Sequence, residues 1–574
     1  MADTLRWTDV GGTREIPLRP GQTVAAALTE AGIRGFRATR RGGDRGMFCG
    51  MGVCQDCLVE VDGEPNTRAC MTKAAPGMAL RHQEFPGAAR IPASAVPPPD
   101  DGPLPAPEAV DLLILGGGAG GLSAAVAARR CGLDVLLVEE RAALGGQYYK
   151  QPAPGMNAAA LDAQQTEGGA LAGAAEASGA RILRGAELWG AFDLDRLAVF
   201  DGRRTRLVAP RAVIVAAGAY ERPHVVPGWT LPGVMTVGAA QTLWRSYRTL
   251  PGRRVIVAGN GPLNLQVACE LAEAGAELVA VAEAAPNPRT RWRDALAMAA
   301  ADLVLAAKGA RYLATLARQH APLLYGTTLH RIEPSGTGLR ATLHGPRGDR
   351  SFEADVVLLG YGFLPSHEVL RALGAEIHHD AARGQFVPRR DGDAMTTVPG
   401  LYAVGDCAGL GGAPAAREEG VVAAVAAAQR LGAQVPAAMA AEATAARDRL
   451  ARHRRFQHAL WRLFAAPRAG LSLADADTLV CRCEEVTRGE IDAVLADGEP
   501  ALGEVKRRTR CGMGRCQGRY CAPLLAEHLA ETQGRSLDNF ALFAPRAPVK
   551  PIAIADIVAL AERADARTLS DDRA

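Results

Sequence analysis

The sequence predicts an α/β fold organised around two strand, glycine-turn, helix units, with a small cysteine-bearing domain at either end. Three observations carry this. An apolar run, Leu112 to Leu115, stops at Gly116-x-Gly118-x-x-Gly121 and passes directly into an alanine-rich helical pattern that ends at Cys131-Gly132. A second run, Val255 to Ala258, enters Gly259-Asn260-Gly261 and another helical stretch. Eight of the twelve cysteines form two tight sets, one near each end of the 574-residue chain.

At the N-terminal end, Leu5 to Val10 and Arg14 to Leu18 flank Gly11-Gly12 as a hairpin, and Thr23 to Ala31 reads as a helix. Cys49-x4-Cys54-x2-Cys57 follows on a loop where Gly46, Gly50 and Gly52 supply backbone freedom and exposed amides. Cys70 arrives after a strand pair, Leu58 to Val61 and Asn66 to Ala69. Three thiolates on one loop and a fourth from elsewhere suit a 2Fe-2S cluster, whose sulfurs the loop amides can hydrogen-bond. The alternative is structural zinc, which usually takes two paired C-x2-C arms. The segment resembles the beta-grasp 2Fe-2S ferredoxins, in the variant whose last cysteine lies about a dozen residues on, as in succinate dehydrogenase iron-sulfur subunits. Residues 91–109 are rich in proline, lack hydrophobic periodicity and read as a semi-rigid linker.

In the first glycine unit Gly116 allows the tight turn and Gly118 lets the backbone approach a pyrophosphate at the helix N-terminus. Gly121 lets helix and strand pack closely, and Glu139, closing the run Val135 to Val138, is placed to accept from ribose hydroxyls. Gly145-Gly146-Gln147 lets the chain pass a flat ligand, with Gln147 able to hydrogen-bond to it. A buried strand, Ala212 to Ala216, ends in Ala217-Gly218, and Leu401 to Gly409 carries another strand that ends at Gly405-Asp406. With these segments in this order the chain resembles the two-dinucleotide-binding-domain flavoproteins, the family that includes glutathione and thioredoxin reductases. The resemblance implies FAD at the first fingerprint, with Asp406 accepting from ribityl hydroxyls. Those reductases also need a cysteine pair beside the flavin. Residues 132 to 268 contain no cysteine and Cys269 and Cys407 are solitary, so a dithiol mechanism is excluded at these positions.

In the second unit the third glycine is replaced by Asn264, whose side chain is expected to push helix and strand apart or to reorient the turn. Glu283, after Leu278 to Ala282, keeps a ribose-binding option and disfavours a 2′-phosphate. NAD, another nucleotide or an empty domain all fit Gly259, Gly261 and Glu283. Asp355 to Phe363 resembles the strand that returns such a chain to its FAD domain.

Residues 436 to 470 read as helical, with Phe456, Trp461 and Phe464 as packing. Cys481-x-Cys483 then precedes a helix start at which Thr487 and Glu490 form a capping-box pattern, and Cys511-x4-Cys516 precedes another helix. Cys481, Cys483, Cys511 and Cys516 can close around a second 2Fe-2S cluster, with helix N-termini and Lys506, Arg507, Arg508 and Arg510 offsetting its negative charge. Zinc is the rival ligand, and Cys521 is the substitute for Cys516. The spacing resembles the small helical 2Fe-2S domain of the bacterioferritin-associated ferredoxins (BFD-like). The last stretch, with Pro545, Pro548 and Pro551, reads as an extended tail against the body or a partner.

The expected layout is thus a beta-grasp ferredoxin domain (1–90), linker (91–109), FAD-binding domain (110–250 and 366–435) and NAD(P)-binding-like domain (251–365). A helical connection (436–475), a BFD-like domain (476–535) and the tail (536–574) follow. A net charge of +3 gives no argument for nucleic acid or an anionic membrane. The start lacks the pattern of a secretory signal, and no run of roughly 18 apolar residues suggests a transmembrane segment. The expected location is cytoplasmic, with peripheral contact at the inner face of a membrane as a variant. In a reducing compartment the cysteines are ligands or redox groups rather than disulfides, and Cys131, Cys269 and Cys407 read as small buried residues.

One flavin and two 2Fe-2S clusters divide electron pairs into single electrons. No zinc motif and no G-x-S-x-G sequence marks a substrate pocket, His224, His320 and His367 occur singly, and no catalytic residue is identifiable. Over almost its whole length the chain resembles the FAD-containing A or alpha subunits of heteromeric amine-oxidising enzymes: hydrogen cyanide synthase, opine oxidases and hydroxyproline dehydrogenases. The ferredoxin module, often a separate small subunit there, is fused here through the linker. The resemblance implies an FAD-dependent oxidoreductase acting on CH-NH or CH-NH2 donors as part of a hetero-oligomer. A second FAD-containing subunit, similar to sarcosine oxidase beta subunits, would oxidise an amine or imino acid of opine, hydroxyproline, sarcosine or glycine type. Electrons would then pass through this chain to a quinone, oxygen or another carrier. Two alternatives stay open: a self-contained NADH-dependent reductase of an electron carrier, and a non-enzymatic iron-sulfur assembly or carrier protein.

Overall fold

The computed structural model describes residues 3–84, 106–156, 161–538, 541–554, 556 and 557. Most of the proline-rich stretch 91–109, and the end of the tail, lie outside the described residues. In the N-terminal module a five-stranded sheet runs in the order Gly12–Pro17, Thr4–Asp9, Ala79–Arg81, Leu58–Val61, Glu64–Arg68. Thr4–Asp9 and Ala79–Arg81 are parallel at its centre and the other pairings are antiparallel. The helix Val24–Glu30 buries Val24 to Thr29, and the Thr23 hydroxyl caps it by accepting from the Ala26 amide. The connection from this helix to Leu58 carries the first cysteine loop.

The first glycine unit is centred on parallel strands Arg181–Arg184, Val135–Glu139, Glu108–Leu115, Thr205–Val215 and Leu401–Ala403. Leu112, Leu113 and Ile114 are fully buried, and this continuous apolar run is what a parallel sheet covered on both faces requires. Helices Ala119–Arg130 and Gly412–Arg430 cross through small residues: a methyl group on Gly420 would lie 2.2 Å from the Gly120 carbonyl oxygen.

The second unit's sheet is all parallel, in the order Val234–Thr236, Val356–Gly360, Arg254–Gly259, Glu277–Glu283, Leu323–Tyr325. The chain enters and leaves this unit through the antiparallel pair Ala219–Glu221 and Phe363–Pro365. Val234–Thr236 and the helix Val237–Tyr247 belong to it, ahead of the expected boundary at residue 251. A three-residue strand has too little periodicity to declare its sheet.

After the helix Ala437–Leu463, a small domain pairs Leu479–Cys481 with Val486–Thr487 and adds helices Arg488–Ala496, Leu502–Thr509 and Cys521–Gln533. The first of these helices starts in a capping box, Thr487 accepting from the Glu490 amide and Glu490 from the Thr487 amide. The described part of the tail lies on the first unit, where the Val549 amide donates to the Trp189 carbonyl at 2.7 Å and Lys550 pairs with Glu140.

His224 stacks on Tyr361 at 3.7 Å, and its Nε2 lies 2.7 Å from the Leu329 carbonyl oxygen. Burial lowers its pKa to about 4, against the opposing pull of that carbonyl. The unfolded chain therefore binds more protons than the native one below pH about 6.5, and stability falls as the pH drops toward 4. The expected loss between pH 7 and pH 4 is on the order of 3 kcal/mol from this group. Denaturant titrations at the two pH values should show a smaller loss in His224→Gln than in the parent.

Candidate redox site

Cys49, Cys54, Cys57 and Cys70 are all buried in the N-terminal module. Gly50, Gln55 and Gly52 adopt positive φ, which folds the loop tightly enough for the Cys54 amide to donate to the Cys49 sulfur at 3.4 Å. Burial pushes the Cys49 thiol up, but hydrogen bonds from Cys54 and from the Met51, Cys54 and Val53 amides outweigh it and bring it down to about 6. The neighbouring Cys57 thiol and burial together push the Cys70 thiol well up. Four converging thiols with amides aimed at sulfur have the donor chemistry of a 2Fe-2S site.

In the C-terminal domain the sulfurs of Cys481, Cys511 and Cys521 lie within 4.8 Å of one another. Cys483 and Cys516 stand as a second neighbouring pair, and Cys481 is close enough to act on both, so five thiols gather where four are needed. Cys521, expected only as a substitute for Cys516, thus stands in the set alongside it. The second C-x4-C spacing, Cys516 to Cys521, is the sequence signal for it. Three of the four charges expected to offset this set engage other groups: Arg508 pairs with Asp497 and Glu504, Arg510 with Glu484, and Lys506 covers the Phe543 ring. Arg519 approaches instead, donating to the Cys516 carbonyl at 3.1 Å and pairing with Glu368 at 3.2 Å.

Around the first fingerprint, Gly116 has φ +109° and a methyl group on Gly121 would meet the Gly116 carbonyl oxygen at 1.8 Å. Gly146 faces Gly118 so closely that its own methyl group would lie 2.8 Å from the Gly118 Cα. These two glycines let the backbones touch at the start of the helix Ala119–Arg130 and keep side chains away from it, which suits a pyrophosphate received at that helix N-terminus. Glu139 accepts from the Gly117 amide at 2.6 Å and the Arg141 amide at 2.8 Å, and burial raises its pKa. Asp406 accepts from the Gly411 and Gly412 amides at the start of the helix Gly412–Arg430. Gln147 is half-buried next to Gly146, and Gly218, at φ +68° with open space on its Cβ side, follows Ala217 at the end of the Thr205–Val215 strand. Lys150 and Glu221 are not among the residues expected here: both are buried, and both engage Gly238, Lys150 through its carbonyl and Glu221 through its amide. Burial brings the Lys150 pKa down to about 7 and the Glu221 pKa up to about 7.

In the second unit Asn264 neither separates helix from strand nor disrupts the turn. It is 3% exposed and donates to the Gly360 carbonyl at 2.9 Å, using space left because positions 259 and 360 are both glycine. Glu283 accepts from Gly261, Asn260 and Ala285. Asn260 also donates to the Phe464 carbonyl, and Arg291 to the carbonyls of Arg462, Leu463 and Ala465, so the end of the long helix stands against the glycine turn.

The three sites meet at aromatic side chains. Tyr520, next to Cys521, lies 5.7 Å from Phe48, next to Cys49, and 5.4 Å from Tyr220, two residues past Gly218. The Tyr220 hydroxyl donates to the Arg519 carbonyl at 3.0 Å. The Tyr520 hydroxyl is buried without a hydrogen-bond partner among the described residues, a donor available to a sulfur-rich group at this junction. The first cysteine loop docks on the second unit, the Thr236 amide donating to the Phe48 carbonyl at 2.9 Å.

The family model for pyridine nucleotide-disulphide oxidoreductases matches residues 110–432. The model of a 2Fe-2S iron-sulfur cluster binding domain matches 13–84, and that of a BFD-like [2Fe-2S] binding domain matches 479–531. The opine oxidase A polypeptide of Agrobacterium tumefaciens is 34% identical over 473 residues, 79% of this chain and 93% of the relative. Hydrogen cyanide synthase subunit HcnB of Pseudomonas aeruginosa is 32% identical, covering 77% of this chain and 96% of the relative. A crystal structure of L-proline dehydrogenase from P. horikoshii superposes with a TM-score of 0.70 over 97% of each chain at 19% identity, a likeness of fold.

Proposed function

The chain belongs to the pyridine nucleotide-disulphide oxidoreductase family, among the A or alpha subunits of heteromeric FAD-dependent amine oxidases and dehydrogenases, and we propose that it serves there as the electron-transfer component. Its FAD-binding domain and two 2Fe-2S domains supply, when loaded, two-electron and one-electron chemistry respectively. Gly116 and Gly121 shape the turn and its packing, and Gly118 and Gly146 clear the helix start that receives the pyrophosphate. Glu139, Gln147, Ala217, Gly218, Gly405 and Asp406 line the rest of the FAD site. Cys49, Cys54, Cys57 and Cys70 hold one cluster. Cys483 and Cys516 supply one pair for the other, and two of Cys481, Cys511 and Cys521 supply the second.

The observation that carries this reading is the contact of all three sites at Phe48, Tyr520 and Tyr220, which suits a relay and needs no substrate pocket in this chain. Disulfide exchange has no foothold: the Cys407 thiol donates to the Val215 and Val404 carbonyls and Cys269 to the Tyr312 carbonyl, each buried and alone. The substrate-oxidising partner is a second FAD-containing protein similar to sarcosine oxidase beta subunits. Eight cysteines as cluster ligands, with none of the twelve in a disulfide, suit the reducing setting of the cytoplasm. No helix among the described residues is long and apolar enough to cross a membrane.

The hydrogen bonds from Asn260 and Arg291 to the 462–465 carbonyls support a second unit that anchors the long helix rather than admitting NADH. The purified chain is therefore expected to bind FAD and iron yet oxidise neither opines, proline, sarcosine nor glycine, and to keep its flavin colour on mixing with millimolar NADH. Amine oxidation should appear on adding the partner. Robust oxidation by the isolated chain, or rapid bleaching by NADH, would contradict the proposal.

A further inference from the structure

The residues that lie between cluster ligands in one domain bind the residues that lie between cluster ligands in the other. Asp56 stands between Cys54 and Cys57, and Arg482 between Cys481 and Cys483. The Arg482 Nε donates to the Asp56 carboxylate at 2.5 Å, with side chains 4% and 0% exposed. The same guanidinium donates to the Trp229 carbonyl at 3.0 Å and lies 3.9 Å from the Phe48 ring centre and 4.7 Å from that of Trp229. Asp56 is gripped on its other side by Arg37 at 3.2 Å. Beside this pair the Cys483 thiol points at the Cys54 carbonyl oxygen at 3.9 Å, and the Glu485 carboxylate accepts from the Arg40 and Arg41 amides at 2.9 Å each.

A buried ion pair is an expensive way to glue two domains, because desolvation of both charges offsets most of their attraction and apolar residues would serve as well. Here the pair has a second effect. Thiolate-ligated clusters carry net negative charge, and their potentials depend on nearby charge and hydrogen bonds. A cation and an anion buried between two such sites act on both at once, while the short Cys54–Cys483 contact keeps the gap across which an electron must tunnel small.

We propose that the Asp56–Arg482 pair is a positioning device that holds the two cluster sites in direct contact and sets their potentials jointly, so that they exchange electrons without returning through the flavin. Each exchange oxidises one cluster and reduces the other by one electron, with no proton or co-reactant. This rests on the reading that both sites carry 2Fe-2S clusters.

The test uses the full chain with both clusters loaded. Iron and labile-sulfide analysis comes first; a chain isolated without clusters refutes the underlying reading rather than this inference. In the fully reduced parent, the EPR signals of the two clusters should be mutually broadened or split, a measurement that needs no variant; two independent signals overturn the inference. In EPR-monitored redox titrations, Asp56→Asn, which leaves Arg482 uncompensated, should raise both potentials. Arg482→Gln should lower both, and Arg482→Lys should restore them toward the parent. Arg41→Ala, which removes only the exposed Arg41–Glu490 pair of the same interface, should move neither. A shift confined to one cluster, or an equal shift in Arg41→Ala, overturns the inference.

Discussion

Cys57→Ala is expected to yield a chain that keeps its flavin but loses about half of its iron, with the C-terminal cluster signal intact. Cys57 is buried beside Cys70, and the remaining three thiols cannot complete the coordination of two irons. Amine-driven reduction of an acceptor by the reconstituted complex should fall at least about 100-fold, since even outer-shell changes at metal sites cost up to that factor. The parallel substitutions Cys481→Ala, Cys511→Ala and Cys521→Ala decide the C-terminal set: one of them should leave the iron content unchanged, and the two that remove iron identify the ligands. Unchanged iron and unchanged turnover in Cys57→Ala would remove the N-terminal cluster from the route.

The second large effect separates packing from binding at the FAD fingerprint. Gly121→Ala places a methyl group 1.8 Å from the Gly116 carbonyl oxygen and 3.3 Å from Ile114, so the helix Ala119–Arg130 must shift off the strand. The cost of overpacking is about 1–3 kcal/mol or more, and both thermal stability and FAD content should fall. Gly118→Ala meets nothing nearer than the Gly146 Cα at 3.8 Å. Its fold should survive while the new methyl group stands at the helix start that receives the pyrophosphate, and FAD content alone should fall. Equal loss of stability in both variants, measured by denaturant titration of flavin-free protein, would show that Gly118 serves packing rather than binding.

How much of this was legible in the sequence depends on whether a requirement is local. The glycine turn after Leu115 needs Gly116 at φ +109° and Gly121 against a carbonyl, and both constraints act within six residues, so the residue types reveal them. The Thr487–Glu490 capping box is local in the same way. Asn264 misled because its fit depends on Gly360, nearly a hundred residues away, supplying the space that the helix itself did not. In the basic run from Lys506 to Arg510, Arg508 and Arg510 pair with Asp497 and Glu484, partners that the run itself does not reveal, whereas Arg519 reaches the Cys516 carbonyl three residues away. Lys150 and Glu221 carry no motif, and what marks them is burial. The contact between Asp56 and Arg482 joins residues 426 positions apart, which a single sequence cannot pair.

The most direct measurement is anaerobic rapid mixing of the loaded chain with its partner flavoprotein and an amine substrate, followed by absorption and freeze-quench EPR. The account predicts that flavin bleaching and the signals of both reduced clusters appear within the turnover time, and only when the partner is present. Clusters that stay oxidised through many turnovers, or equal reduction by amine without the partner, would contradict it.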